Sequence, residues 1–342
     1  MIERIEHLVI AAPNWVGDLV MATPVFEAAL KAQHIARVSV LVRSHLAPLL
    51  ADGPLAPHVR PHTDASDERA ALRELAPDAV MLLSNSFGAA WRAFRARVPI
   101  RAGSALSSRR FLLTHAVVPP MRDGRRFPIP TAHLHRDVAG LLGVLVDDLH
   151  PRLYVRAAVR EQQRALLSER GIAGGEPYVV CCPGAAFGSA KLWPPDRFAR
   201  VLDDLHAERG WRAVITGGPG EEPLVDEVAR FSSSGAISLA DTHSSLETLK
   251  VLIADSRLLL VGDSGPRWVA AAFDVPCVSI MGPNVPELTA SSLEWAEIVR
   301  LDLDCSPCAR RVCPLGHHRC MNDLEPERVL ASARRVLAIP RA

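Results

Sequence analysis

Short runs that are apolar almost throughout alternate with helical patterns over the first part of the chain. His7-Leu8-Val9-Ile10-Ala11-Ala12, Val38-Ser39-Val40-Leu41-Val42 and Asp78-Ala79-Val80-Met81-Leu82-Leu83 lack an alternating polar face. Such runs predict parallel strands covered by helices on both sides. From about Arg97 to Pro130 the pattern lapses, with Arg101, Arg109, Arg110, Arg122, Arg125 and Arg126 scattered among Pro and Gly, which predicts a long, basic, loop-rich insertion. The alternation resumes with Tyr178-Val179-Val180-Cys181-Cys182, after which Phe198, Val201, Leu202 and Leu205 recur at i, i+3, i+4 and i+7, the apolar stripe of a helix. Further strands are predicted over residues 212–216, 258–261, 275–280 and 298–301, and Ser244-Ser245-Leu246-Glu247 reads as a capping box. Two βα series, separated by a linker near Leu153 to Gly175, predict an α/β protein of two doubly wound domains facing a cleft, over residues 1–155 and 156–342.

Composition narrows the function classes. With 49% apolar and 23% charged residues in 342 the chain can bury a generous core. Its 39 Lys and Arg against 38 Asp and Glu leave a formal charge of +1, so no global field draws it to nucleic acid, and an anionic ligand must be met by a local basic site. Seven scattered Cys do not form a disulfide scaffold, and the opening Met1-Ile2-Glu3-Arg4-Ile5-Glu6 lacks the order of a signal peptide. The expectation is a cytoplasmic protein with reduced thiols. No stretch reaches the roughly 18 apolar residues of a spanning helix, so membrane contact is expected to be peripheral.

Three strand-to-helix junctions carry residues that a plain connection does not need. In the first, Ala12-Pro13-Asn14-Trp15-Val16-Gly17-Asp18, the carboxylate of Asp18 is suited either to general-base chemistry or to capping a helix; Thr23-Pro24 just beyond reads as an N-cap followed by Pro. The second runs from Pro183 through Gly184, Ala185 and Lys191 to Pro194, where small residues let backbone amides approach a phosphate and Lys191 supplies a charge. A loop with a solvated Lys is the plainer alternative. The third is Gly262-Asp263-Ser264-Gly265-Pro266, in which Ser264 can cap the following helix, while Asp263 either accepts sugar hydroxyls or is itself the cap.

Together these segments, with Met281-Gly282-Pro283 and the Cys305-to-Cys320 segment, resemble glycosyltransferase family 9 in the family's order and over essentially the whole chain. The resemblance implies a GT-B architecture of two Rossmann-like domains, the N-terminal one for the acceptor and the C-terminal one for the nucleotide sugar, with the last helix a candidate to pack back on the N-terminal domain. It implies inverting transfer of heptose from ADP-heptose to a heptose on the lipid-linked lipopolysaccharide inner core, at the cytoplasmic face of the inner membrane. Asp18 would be the general base. Gly184, Ala185, Lys191, Asp263, Ser264, Gly265, Met281, Gly282 and Pro283 would line the donor, and Glu221 or Glu222 would reach the ribose. Arg109 and Arg110 are candidates for the anionic acceptor.

Relatives carry His where this chain has Trp268, preceded by Arg267, which implies a replaced contact, a changed sugar specificity or a nucleotide-binding protein that has lost transfer. A nicotinamide-dependent oxidoreductase is disfavoured because no G-x-G-x-x-G follows the first strand. Cys305, Cys308, Cys313 and Cys320 would suit a structural zinc, although their compact spacing is unlike common zinc ribbons and favours packed thiols. Cys181, Cys182 and Cys277 read as core. Asp302-Leu303-Asp304 is treated as a coincidental D-x-D, so that transfer needs no metal cofactor.

Overall fold

The computed structural model describes residues 4–122, 125–242 and 245–339. It divides into two compact units, Met1–Tyr154 with Glu287–Ser291, and Val155–Pro286 with Ser292–Ala342. The first unit runs β1 (Ile5–Ala11), α1 (Val16–Met21), α2 (Thr23–Lys31), β2 (Ile35–Arg43), β3 (Val59–His62), α3 (Ala65–Leu75), β4 (Ala79–Leu82), α4 (Phe87–Arg95), β5 (Ile100–Ser104), β6 (His115–Val117), the hairpin β7 (Met121–Arg122) and β8 (Arg125–Arg126), and α5 (Thr131–Gly140). Its sheet is parallel throughout, in the order β3-β2-β1-β4-β5-β6.

The second unit repeats the plan with α6 (Ala157–Glu169), β9 (Tyr178–Cys182), α7 (Pro195–Arg209), β10 (Arg212–Ile215), α8 (Glu222–Phe231), β11 (Ile237–Ser238), α9 (Leu246–Ala254), β12 (Leu258–Gly262), α10 (Pro266–Ala272), β13 (Cys277–Ile280), β14 (Ala296–Val299), α11 (Arg319–Asn322) and α12 (Pro326–Leu337). Its parallel sheet has the same order, β11-β10-β9-β12-β13-β14. Each unit is therefore a Rossmann-like doubly wound sheet.

The apolar runs form the sheet centres because only a strand covered on both faces has use for them. Val9, Ala11, Val80 and Leu82 pack on Ala89, Ala90 and Ala93 of α4. In the second unit Val179, Cys181, Leu258 and Leu260 pack with Phe198, Val201, Leu202 and Leu205 of α7, the residues of the expected stripe. Each Val, Leu or Phe among them contributes about 1.5–3 kcal/mol on leaving water. Asp64 caps α3 by accepting from Ser66 N–H at 2.7 Å and Asp67 N–H at 2.9 Å, and Ser86 Oγ caps α4 from Ala89 N–H at 3.1 Å. The last helix packs within its own unit, on α7, β13 and β14, and Arg335 pairs bidentately with Glu297 of β14.

Four local expectations are corrected. The Arg97-to-Pro130 stretch is not an insertion, because β5 and β6 complete the first sheet; Ile-Arg-Ala-Gly-Ser and His-Ala-Val are too short and polar to announce themselves as strands. The linker holds α6, which buries only Val159, Gln163 and Leu167 and pairs Arg160 with Asp255 beside α9. The capping box before α9 is Ser245 with Thr248, at 3.1 and 3.0 Å, and Ser244 lies outside the described residues. Thr23 is the first residue of α2 and not its cap: α1 and α2 are joined through Ala22, and the Thr23 hydroxyl donates to Val20 O at 2.8 Å.

Candidate functional site

In a doubly wound sheet the strand order reverses between two central strands, and ligands bind beyond the carboxyl ends of that pair. In the second unit the pair is β9 and β12. The loop Pro183–Pro194 leaves β9, and Asp263–Gly265 leaves β12 beside it. A short turn over Ser189–Lys191 is fixed by Lys191 N–H to Gly188 O and Ala190 N–H to Arg311 O. Trp193 anchors the loop's end: it is buried, its indole N–H donates to Leu324 O at 3.0 Å, and its ring meets Phe198 edge-on.

This anchoring turns Lys191 inward. It is 8% exposed, with Nζ 2.6 Å from Asp263 Oδ2, donating to Asp263 O at 3.1 Å and lying 4.7 Å from the centre of the Phe187 ring. The solvated-lysine alternative is thereby set aside. Arg267 is buried on α10 with its guanidinium 4.4 Å from the centre of the Trp268 ring. Burial draws its pKa below the usual arginine range, while the neighbouring Cys277 and Asp263 oppose that shift. Lys191 and Asp263 thus pair at the mouth of β9 and β12, with Arg267 buried within electrostatic reach of Asp263 and of Cys277. Neither Ser264 nor Asp263 caps α10; the N-cap residue is Gly265, with no side-chain cap.

The mouth of β10 bends back to this loop. Glu221 accepts from Gly218 N–H at 2.8 Å, and its carboxylate occupies the space a side chain on Gly184 would need. Burial pushes its pKa up, the Gly218 N–H opposes, and the charge of Glu222 adds to the rise. Glu222 is exposed as the first residue of α8. The structure therefore separates two acids that sequence left equivalent. Ala185 is half-buried, its carbonyl accepting from Gly188 N–H.

Met281, Gly282 and Pro283, at the mouth of β13, are buried. A Cβ on Gly282 would lie 2.5 Å from Met321 Sδ and 2.9 Å from Cys320 Sγ, and the Gly282 carbonyl accepts from Ser306 Oγ at 2.7 Å. This glycine is thus a packing position under α11. Cys305, Cys308 and Cys313 are half-buried and Cys320 buried. Among the described residues no group of three or more His, Cys, Asp or Glu stands close enough to hold a metal ion. Burial, followed by the charges of Cys308, Cys305 and Cys313, pushes the Cys320 thiol up to about 11. Backbone N–H groups, that of His318 foremost, lower Cys313. Cys181, Cys182 and Cys277 are buried in strands, and burial raises all three thiols.

In the first unit the reversal falls between β1 and β4. Asp18 stands half-buried in the first turn of α1, beyond β1; the N-cap is Trp15, so Asp18 is not the cap. A carboxylate there meets the positive end of the helix. Beyond β4 the segment Ser84–Ser86 is held from beneath by Arg109, which is 0% exposed. Its Nε donates to Ser104 O at 2.9 Å, Nη1 to Ser84 O and to Ser86 O at 3.0 Å, and Nη2 to Ser104 Oγ at 3.1 Å. Burial lowers its pKa to about 10. Arg109 is therefore a buried clamp on the loops and not an exposed docking cation, whereas Arg110 is exposed. The side chains of Arg122, Arg125 and Arg126 lie outside the described set. A hollow of 470 Å³, lined by Glu27, Lys31, His34 and Asp148 among others, lies at the amino end of β2, away from the edge where such folds do chemistry. Among the described residues no helix is long and apolar enough to cross a membrane.

The model of glycosyltransferase family 9 (heptosyltransferase) matches residues 68–319. Lipopolysaccharide heptosyltransferase 2 of Salmonella typhimurium is 28% identical over 350 residues, covering 97% of this chain and 98% of that protein. Two solved structures share the GT-B fold. The ADP-heptose lipopolysaccharide heptosyltransferase II of Escherichia coli superposes with a TM-score of 0.75 at 24% identity, covering 97% of this chain and 98% of that one. The family 9 glycosyl transferase of Veillonella parvula superposes with a TM-score of 0.81 at 20% identity, covering 98% of each chain. With the family's model spanning most of its length, and its strand-end segments gathered at the mouths of two doubly wound sheets, the chain belongs to glycosyltransferase family 9.

Proposed function

We propose that the chain transfers a heptose from ADP-heptose to a heptose on the lipopolysaccharide inner core, with inversion at the anomeric carbon. The observation that carries the reading is the buried Lys191–Asp263 pair at the mouth of β9 and β12, with Arg267 buried within electrostatic reach of Asp263, in a chain similar over its whole length to a lipopolysaccharide heptosyltransferase. An acceptor hydroxyl oxygen attacks the anomeric carbon, the bond from that carbon to the β-phosphate oxygen breaks, and ADP leaves with the electron pair. Asp18 takes the hydroxyl proton. Lys191 and Arg267 answer the charge growing on the diphosphate, as preorganised cations do in a water-poor site, and Glu221 accepts the ribose hydroxyls. The first unit holds the acceptor and the second the donor. The acceptor is an acidic glycolipid in the cytoplasmic leaflet, reached by peripheral contact, with Arg110 available to its phosphates.

The test is to offer the protein a panel of nucleotide sugars with truncated core acceptors, following ADP release and the mass of the acceptor. A gain of one heptose from ADP-heptose alone is the expected result. ADP binding without turnover of any donor would instead favour the nucleotide-binding reading that Trp268, in place of the family's His, brings into view.

A further inference from the structure

The helix α4 is built the wrong way round for a soluble surface. Its inward positions are the small residues Ala89, Ala90 and Ala93, all buried, while Phe87, Trp91 and Phe94 point outward at 42%, 42% and 44% exposure. The neighbouring turn adds Phe111, 72% exposed. The four rings form a continuous ridge: Phe111 to Phe87 at 6.1 Å, Phe87 to Trp91 at 6.4 Å and Trp91 to Phe94 at 5.7 Å between centroids. Guanidinium groups flank it, Arg95 at 6.0 Å from the Trp91 ring and Arg101 at 5.5 Å from the Phe94 ring. Arg69, Arg92 and Arg95 also line a 330 Å³ hollow beside Trp91. Glu68 pairs with Arg92 at 2.6 Å, so the remaining basic groups of this rim carry net positive charge.

We propose that this ridge is the surface by which the first unit docks on an anionic phospholipid bilayer. Aromatic rings with interleaved arginines suit the headgroup boundary, where rings leave water and guanidinium groups reach phosphates. Anionic lipid then supplies the complementary charge, each basic group near the surface adding attraction that salt weakens. The inference builds on the lipid-linked acceptor proposed above and says which face turns to the membrane that carries it.

The test uses the full chain with vesicles of phosphatidylcholine alone or with phosphatidylglycerol added, measured by flotation. Binding is expected to need phosphatidylglycerol and to weaken with salt. The double variant Trp91→Ser/Phe94→Ser should partition at least about tenfold more weakly, since two rings no longer leave water. Arg95→Glu should reduce the dependence on phosphatidylglycerol. Transfer to a water-soluble truncated acceptor should be unchanged in both. Should the double variant fail to fold, Phe111→Ser with Arg95→Glu carries the same test. Equal binding by parent and variants, or no binding, would overturn the proposal. So would a parent dimer in light scattering that Trp91→Ser/Phe94→Ser makes monomeric, because the ridge would then join two copies of the chain. Vesicle binding requires no turnover, so binding without heptose transfer would count against the proposed reaction alone.

Discussion

Lys191 is a structural partner before it is a ligand contact, since its charge lies 2.6 Å from the Asp263 carboxylate and both side chains are about one-tenth exposed. Removing one member of such a pair strands the other, so Lys191→Ala should cost about 3–5 kcal/mol of stability and also weaken ADP binding. Replacing both partners by apolar groups is close to neutral. Lys191→Met/Asp263→Leu should therefore recover the melting temperature without recovering ADP affinity in calorimetry; recovered affinity would remove Lys191 from the donor site. For Asp18→Asn, turnover should fall by about 10²- to 10⁴-fold with ADP affinity intact. Near-normal turnover would leave Asp18 only its favourable place at the start of α1. Glu221→Gln should weaken ADP by about tenfold, the scale of one charge-assisted hydrogen bond. Glu222→Gln, altering an exposed residue, should not.

Between elements, a glycine at a strand mouth can serve a ligand or a neighbouring helix, and the atoms it would strike tell which. Gly282 would strike Met321 and Cys320 of α11. Gly282→Ala is expected to lower stability by about 1–3 kcal/mol, as overpacking does, while folded protein keeps its ADP affinity. A clear loss of affinity at unchanged melting temperature would make Gly282 a donor contact instead. Arg109 ties elements in a comparable way, joining the loop after β4 to Ser104 at the end of β5. The dense Ser84-Asn85-Ser86 segment hints at polar partners, but nothing local says that the partner is an arginine more than 20 residues on.

For the molecule as a whole, acid stability is set by groups the fold holds in one charge state. Burial lowers the pKa of His135 to about 4, and burial also lowers His7. The unfolded chain takes up these protons near 6.5, so below that value the unfolded state binds more of them. Stability is therefore full above pH 6.5 and falls as pH drops toward 4, by roughly 3 kcal/mol for a shift the size of His135's. Asp203 acts at lower pH. Burial favours its neutral form, but hydrogen bonds from Ser232, Ser234 and Ser233 prevail and lower its pKa, so its contribution is present above the unfolded carboxylate range and lost below it. Melting temperatures across pH 4–8 should show a plateau and then a fall, and His135→Gln should flatten the fall between 6.5 and 4. An unchanged slope would place the acid sensitivity elsewhere.

Which parts of this architecture can be read from the chain follows from where the information lies. The central strands β1, β2, β4, β9, β12 and β13 were legible because a strand buried on both faces must be apolar at nearly every position, and α7 because its stripe has the helical period. The three strand-end segments were legible for a similar reason: each follows such a strand directly. The peripheral strands β3, β5, β6 and β11 were not. They are short and partly polar, and they are strands only because an inner strand offers them its edge. Tertiary structure alone decided that Lys191 meets Asp263 across 72 residues, that Glu221 and not Glu222 closes on Gly184, and that Arg109 lies beneath the loops. Those pairings depend on two parallel strands ending side by side, a register that neither periodicity nor spacing in the sequence expresses.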